Sequence, residues 1–260
     1  MIFAKKSLGQ NFLRSTKALR QIVEAADLSS TDTVLEIGPG EGALTEGLLR
    51  SGAHVIAVEK DDRLIKILSS KFNKEITSKK FILIHGDALL IPFDSLNLTS
   101  GKFKVVANIP YYITGALLRI ILGGDIQPSR AVVLVQKEVA ERIVARDGKE
   151  SILSMSIKCY GTPQIIDKVP AGAFVPAPNV DSAILRVADI SKDFFTTAPA
   201  ISESAFFTTL KAGFAHKRKL LRANLSLTDE DLVNINLSPL ARAEDINLED
   251  WKHLALALEN

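Results

Sequence analysis

The sequence predicts an open, doubly wound α/β sheet of seven mostly parallel strands, followed by a small all-helical domain. Three observations carry that prediction. Strand-like and helix-like segments alternate over most of the 260 residues. The strand segments are β-branched and almost continuously apolar, as strands covered on both faces must be. After residue 188 the alternation stops and only helical patterns remain. The expected division is therefore a first domain over 1–188 and a helical domain over 189–260.

The strands are expected at Thr33–Ile37, His54–Val58, Phe81–His85, Lys104–Ala107, Ala131–Gln136, Gln164–Val169 and Ser182–Val187. Between them, helical spacing marks Thr16–Ala25, Ala43–Ser51, Arg63–Lys71, Thr114–Leu122, Lys137–Ala145 and Ile152–Cys159. A Pro-rich loop with no helix joins the last two strands, so these two are expected to pair antiparallel. The C-terminal helices are expected at Ser204–Phe214, Lys219–Asn224, Glu230–Asn234 and Leu248–Leu258, after a loop from Ala188 to Glu203.

Hydrophobic residues make up 47% and charged residues 24%, enough to bury a sizeable core. The single cysteine, Cys159, rules out an internal disulfide framework and fits a reducing, cytoplasmic compartment. Its neighbours read as helix or core. The N-terminal residues show no signal peptide, and no apolar run reaches membrane-spanning length. No long apolar stripe demands a partner, so a monomer is expected. The net charge of +2 is too small to argue for a polyanion, but basic residues cluster between Lys211 and Arg222.

The first strand runs through Glu36 into Gly38-Pro39-Gly40-Glu41-Gly42-Ala43 and then a helix. Glycines there let a ligand approach the backbone at the helix N-terminus. Gly38, Gly40 and Ala43 fit the dinucleotide pattern; Gly38, Gly40 and Gly42, with Glu36 upstream, fit that of a methyl-donor site. In either case an acid about 20 positions on holds ribose hydroxyls, and Glu59 meets that need. Asp87, at the end of the third strand, is placed to accept from an adenine amine. Either acid alone reads as an ordinary loop acid. Together they indicate an adenosine-containing ligand, either NAD or a methyl donor.

The fourth strand separates these readings, because it ends in Asn108-Ile109-Pro110-Tyr111. A hydride-transfer site has no obvious use for that series. The exocyclic amine of a nucleobase does. Its lone pair is delocalised into the ring, and the Asn108 side-chain oxygen with the Ile109 or Pro110 carbonyl can accept its two N–H bonds. The bare alternative for Tyr111 is a core ring at a strand-ending turn. Its functional reading is a stacking surface for the base.

These segments closely resemble the ribosomal RNA adenine dimethyltransferases, over nearly the whole chain. Lys6 to Leu13 is similar to that family's G-Q-N-F-L block, which implies that Asn11 and the Leu13 backbone close over the donor, S-adenosylmethionine. Gly38, Glu59, Asp87 and Asn108 fall on the family's donor positions. Asn108 to Thr114 resembles its N-[LI]-P-Y-x-[IL]-[ST] block, and Gln136 to Arg142 resembles the start of a helix in it.

Phe174 to Ala183 is similar to the family's F-x-P-x-P-x-V-D-S-A segment, which implies that Phe174 faces Tyr111 across the target adenine; by chemistry alone Phe174 is as well a core residue. Phe214 to Leu225 resembles its basic block, implying that Lys217, Arg218, Lys219 and Arg222 contact RNA phosphates. Glu150-Ser151 departs from the Tyr-Gly common in the family.

The resemblance implies a class I methyltransferase that dimethylates N6 of two adjacent adenosines near the 3′ end of 16S rRNA, in an immature 30S subunit. Three alternatives stand beside it: a large-subunit (23S) adenine methyltransferase of the macrolide-resistance type, a non-catalytic assembly factor and an NAD-dependent oxidoreductase.

Overall fold

The structure is a computed structural model that describes residues 4–5 and 8–259; Lys6 and Ser7, at the start of the G-Q-N-F-L resemblance, lie outside the described residues. The chain forms two compact units. One runs to Ala140 and resumes over Thr162–Ile190; the other comprises Glu141–Gly161 and the chain from Ser191 onward.

The first unit opens with a two-residue strand, β1 (Phe12–Leu13), and helix α1 (Thr16–Ala26). Ser15 caps α1 by accepting the Ala18 N–H, and the helix buries Ala18, Ile22, Ala25 and Ala26 at helical spacing. Then follow β2 (Thr33–Ile37), α2 (Ala43–Arg50), β3 (His54–Glu59), α3 (Asp62–Lys71), α4 (Asn73–Thr77), β4 (Phe81–His85), β5 (Phe103–Asn108), α5 (Thr114–Gly123) and β6 (Arg130–Gln136). Helix α6 (Lys137–Ile143) carries the chain out of the unit. After α7 (Ile152–Lys158) the chain returns as β7 (Thr162–Val169), β8 (Phe174–Val175) and β9 (Ser182–Ala188).

The seven long strands lie in the order β4-β3-β2-β5-β6-β9-β7. The first five are mutually parallel, while β9 runs antiparallel to both β6 and β7. The expected antiparallel pair is thus present. Val34, Leu35, Val105, Val106, Val132 and Val133 are all at most 1% exposed, which is why these strands read as unbroken apolar runs. From β2 the chain first builds outward through β3 and β4, then crosses back to β5 on the other side. That reversal opens a crevice at the C-terminal ends of β2 and β5, where ligands of such sheets bind.

The second unit is helical: α7, α8 (Asp193–Thr196), α9 (Glu203–Gly213), α10 (Leu221–Leu225), α11 (Asp229–Asn234) and α12 (Leu248–Glu259). Trp251 of α12 is fully buried and stacks on Phe214 at 5.4 Å between centroids. A Cβ on Gly213 would meet the Trp251 ring at 2.4 Å, so α9 needs glycine there. Tyr160 packs on Phe195 and Phe207. Cys159 is buried beside it, and burial pushes its thiol well above the ordinary range.

Residues 141–161, including α7, belong to this second unit, whereas their periodicity alone placed them before a boundary at 188. Periodicity identifies a helix but not the core it joins. Where the family commonly has Tyr-Gly, Ser151 caps α7 through a reciprocal pair with Ser154, and Glu150 pairs with Lys158 at 2.5 Å. Sequence reading also missed β1, β8, α4 and α8, which are too short to show a period.

Candidate active site

Four strand ends of the first unit, those of β2, β3, β4 and β5, converge on one cavity, of about 1260 Å³ counted out to its open mouth. Asn11, Leu13, Gly38, Gly40, Glu59, Asp87, Asn108, Pro110, Tyr111 and Phe174 all line it. The glycine loop after β2 forms one wall. Gly38, Gly40 and Gly42 have φ of 69°, 60° and 79°, a left-handed backbone that only glycine adopts without strain. Their N–H groups are all engaged: Gly38 donates to the Val58 carbonyl at 3.0 Å, Gly42 to the Pro39 carbonyl at 2.9 Å, and Gly40 to Glu59 Oε2 at 3.1 Å. A pyrophosphate would need those donors free. The loop therefore favours a ligand held by its ribose and base.

Glu59 ends β3 and is 6% exposed. Besides Gly40, it accepts the Asp61 N–H at Oε1, 2.8 Å. Burial raises its carboxyl above the ordinary value, and these backbone N–H groups pull it back. Two fixed bonds leave lone pairs for a pair of ribose hydroxyls, since each carboxylate oxygen accepts about two. Asp87, beyond β4, accepts the Leu89 N–H at 3.0 Å and pairs with Lys60 at 2.7 Å. The Lys60 bond holds its carboxyl below the usual range. An adenine amine would share that carboxylate with Lys60.

Glu36 does not line the cavity, in contrast to the expectation from the glycine pattern. It lies beneath the loop, 1% exposed, and its Oε2 accepts the Thr45 hydroxyl at 2.6 Å. Its Oε1 has no partner among the described residues. Burial dominates and, with the Glu59 charge, raises its pKa to about 8 against the pull of Thr45 and Lys71. Glu36 is therefore largely a neutral acid at neutral pH.

The sign of the stability effect follows. A carboxyl raised in the fold contributes fully below its ordinary value of 4.5, and that contribution is lost as pH rises through about 8. We expect chemical denaturation to show stability falling from pH 5 to pH 8, with at most about 1.4 kcal/mol per pH unit from this group. Glu36→Gln should flatten that slope.

Asn108 closes β5 at the edge of the cavity, paired in register with Leu134. Among the described residues none hydrogen-bonds its side chain. Pro110 fixes the turn at φ −56°, and its carbonyl accepts the Ile113 N–H at 3.2 Å, leaving one lone pair. Tyr111 is set by a 2.6 Å bond between its hydroxyl and Ser182, a buried residue at the start of β9. Burial pushes the phenol above its ordinary 10, partly offset by Ser182. Tyr111 thus stays protonated and serves as a surface, not a base. Phe174 is 3% exposed: it packs in the core and also lines the cavity.

Ser182 and Asp61 are contributors that the sequence reading passed over. Ser182 stands inside the V-D-S-A block without any local sign that its hydroxyl reaches Tyr111. Asp61 looks like one half of an exposed acidic pair with Asp62, yet its side chain is 0% exposed.

In the second unit, Lys217, Arg218 and Lys219 are exposed. They sit in the turn between α9 and α10; Lys219, expected to open a helix over Lys219–Asn224, lies before it, because α10 starts only at Leu221. Arg222 is partly buried and ion-paired with Asp229 at 3.2 Å, so it is a weaker candidate for phosphate contact.

A family profile described as Ribosomal RNA adenine dimethylase matches residues 2–259. A protein of Dehalococcoides mccartyi strain CBDB1, named Ribosomal RNA small subunit methyltransferase A, is 43% identical over 97% of this chain and 88% of its own length. One of that name from Trichormus variabilis is 40% identical over 98% of both. Among solved structures, a dimethyladenosine transferase from Plasmodium falciparum superimposes with a TM-score of 0.79 at 26% identity, covering 95% of this chain and 97% of that one. The 23S rRNA methyltransferase ErmE gives 0.75 at 26%, covering 96% and 100%. The fold is that of a class I methyltransferase, and the chain belongs to the ribosomal RNA adenine dimethylase family.

Proposed function

We propose that this protein transfers methyl groups from S-adenosylmethionine to N6 of two adjacent adenosines near the 3′ end of 16S rRNA, within an immature 30S subunit. The observation that carries this reading is that a single cavity joins Glu59 and Asp87 to Asn108–Tyr111. An adenosine-binding half and an amine-binding half thus share one space. The residues fit the donor: the glycine loop's N–H groups are engaged and offer no phosphate cradle, Glu59 is fixed at the cavity with lone pairs left for ribose hydroxyls, and the acids complement a cationic ligand.

When bound, S-adenosylmethionine supplies an electrophilic methyl on a positively charged sulfur. The chain's own residues do the rest. Asn108 Oδ1 and the Pro110 or Ile109 carbonyl accept the two N6 hydrogens, drawing the nitrogen toward a tetrahedral shape with its lone pair aimed along the cavity. Acceptors fixed before the reaction act where positive charge develops. Tyr111, oriented by Ser182, stacks on the base from one side and Phe174 bounds the other, worth about 1–3 kcal/mol per stacked base. No strong base is required, because the methylated amine is acidic and loses its proton to water. Lys217, Arg218 and Lys219 meet backbone phosphates, which orient the RNA without reading its sequence. The target bases must be unstacked, so an unpaired loop is the expected substrate. We take the protein to act in the cytoplasm as a monomer.

The 23S alternative shares fold and donor. Relatives 40–43% identical over nearly the whole chain are named small-subunit methyltransferases, which favours the small subunit. Labelled methyl transfer separates them. We expect incorporation into under-methylated 30S particles and little into naked 23S rRNA; the reverse preference would overturn the assignment.

A further inference from the structure

Residues 8–13 form a strap along the cavity, and every one of them lines it. The strap is held at both ends. At its C-terminal end Leu13 pairs with Phe174 in the β1–β8 ladder, the Arg14 N–H donates to the Ala173 carbonyl at 2.8 Å, and Arg14 pairs with Glu41 at 2.5 Å. At the other end the hold converges on Asp61, from the Gln10 amide and from the Lys5 ammonium, whose Nζ lies 3.5 Å from Asp61 Oδ1. Gln10 Nε2 donates to Asp61 Oδ2 at 2.9 Å, while Gln10 Oε1 accepts the Lys5 N–H at 2.8 Å.

Asp61 does more than begin α3. As N-cap it accepts the Arg63 N–H at Oδ1, 3.2 Å, and the same oxygen accepts from Arg63 Nε at 3.0 Å and Lys5 Nζ at 3.5 Å. Its other oxygen takes Gln10 and Arg63 Nη2, the latter at 2.6 Å. A carboxylate buried to 1% exposure carries a desolvation cost, and a cap alone needs no such burial. The Asp61 N–H also donates to Glu59, the acid placed to hold the donor's ribose. Strap and ribose acid are therefore joined through one residue.

We propose that Asp61 is a positioning residue for donor capture, acting through Gln10 to hold the strap over the donor end of the cavity; this rests on the donor reading above. Asn11 and Leu13 then meet the donor at a fixed distance from Glu59, and the strap need not be ordered at each binding event. Loss of the tether frees one end of the strap while β1–β8 keeps the other.

The test uses the full chain with Gln10→Ala, with Asp61→Ser, which keeps a capping hydroxyl but is too short to reach Gln10, and with both. Hydrogen exchange in the ligand-free protein should show amides 8–13 exchanging about tenfold faster in each variant, with α3 still protected. Titration with S-adenosylhomocysteine should show the dissociation constant rising about tenfold in each single variant, the worth of one hydrogen bond to a charged group. The double variant should be no worse than the weaker single, and turnover at saturating donor should change less than about twofold. Unaltered exchange and affinity in a parent that binds the ligand, or additive losses in the double variant, would overturn the role of Asp61 alone. A parent that binds no S-adenosylhomocysteine would overturn the donor reading and this role with it.

Discussion

Asn108→Ala is expected to lower the methyl-transfer rate at saturating substrates by about 100- to 1000-fold, the range seen when one preorganised polar group is removed from a transition state. Donor affinity should change by no more than about threefold. The split follows from position. Asn108 ends β5 with a side chain that no described residue engages, so alanine removes an acceptor for the substrate amine without orphaning a protein group. The backbone there is fixed by the β5–β6 ladder, and Pro110 and Tyr111 keep their places. Single-turnover kinetics beside donor titration reads both quantities. A rate within tenfold of the parent would remove Asn108 from the chemistry.

Glu59→Ala should act on the other half of the site. Two ribose hydroxyls lose a charged acceptor, at about 1.5–3 kcal/mol for each such bond, so the donor dissociation constant should rise at least about 100-fold. Two protein donors lose their acceptor as well, the N–H groups of Gly40 and Asp61. The glycine loop should therefore loosen, and the thermal midpoint should fall along with affinity. Isothermal titration and a melting curve measure the two effects. An unchanged dissociation constant would contradict the ribose role, whatever the melting curve showed.

The sheet was legible because its strands are buried on both faces: Phe103–Asn108 or Arg130–Gln136 can hardly be anything else. The same property hid the position of Glu36. When every side chain of a strand is covered, alternation no longer tells which acid faces the ligand, and Glu36 turned out to lie under the loop. Asn108, Glu59 and Asp87 were readable because each ends a strand on the ligand side of a parallel sheet.

What escaped was non-local. Ser182 reaches Tyr111 across 71 positions, and Gln10 reaches Asp61 across 51. No spacing rule couples residues so far apart. Lys219 illustrates a different failure: it was read as the start of the helix, but the helix begins at Leu221, the first residue it buries. Helix boundaries are set by tertiary packing as much as by propensity.

The proposed activity is delivery of a methyl group, from one cavity, to a nucleobase amine of small-subunit rRNA. It is tested most directly by mass spectrometry of 16S rRNA fragments, after under-methylated 30S particles are incubated with the protein and S-adenosylmethionine. Two neighbouring adenosines near the 3′ end should each gain two methyl groups at N6, with almost none gained in the same time by Asn108→Ala. Methyl groups on another atom or another RNA, or an unmodified 16S fragment despite donor binding, would contradict it.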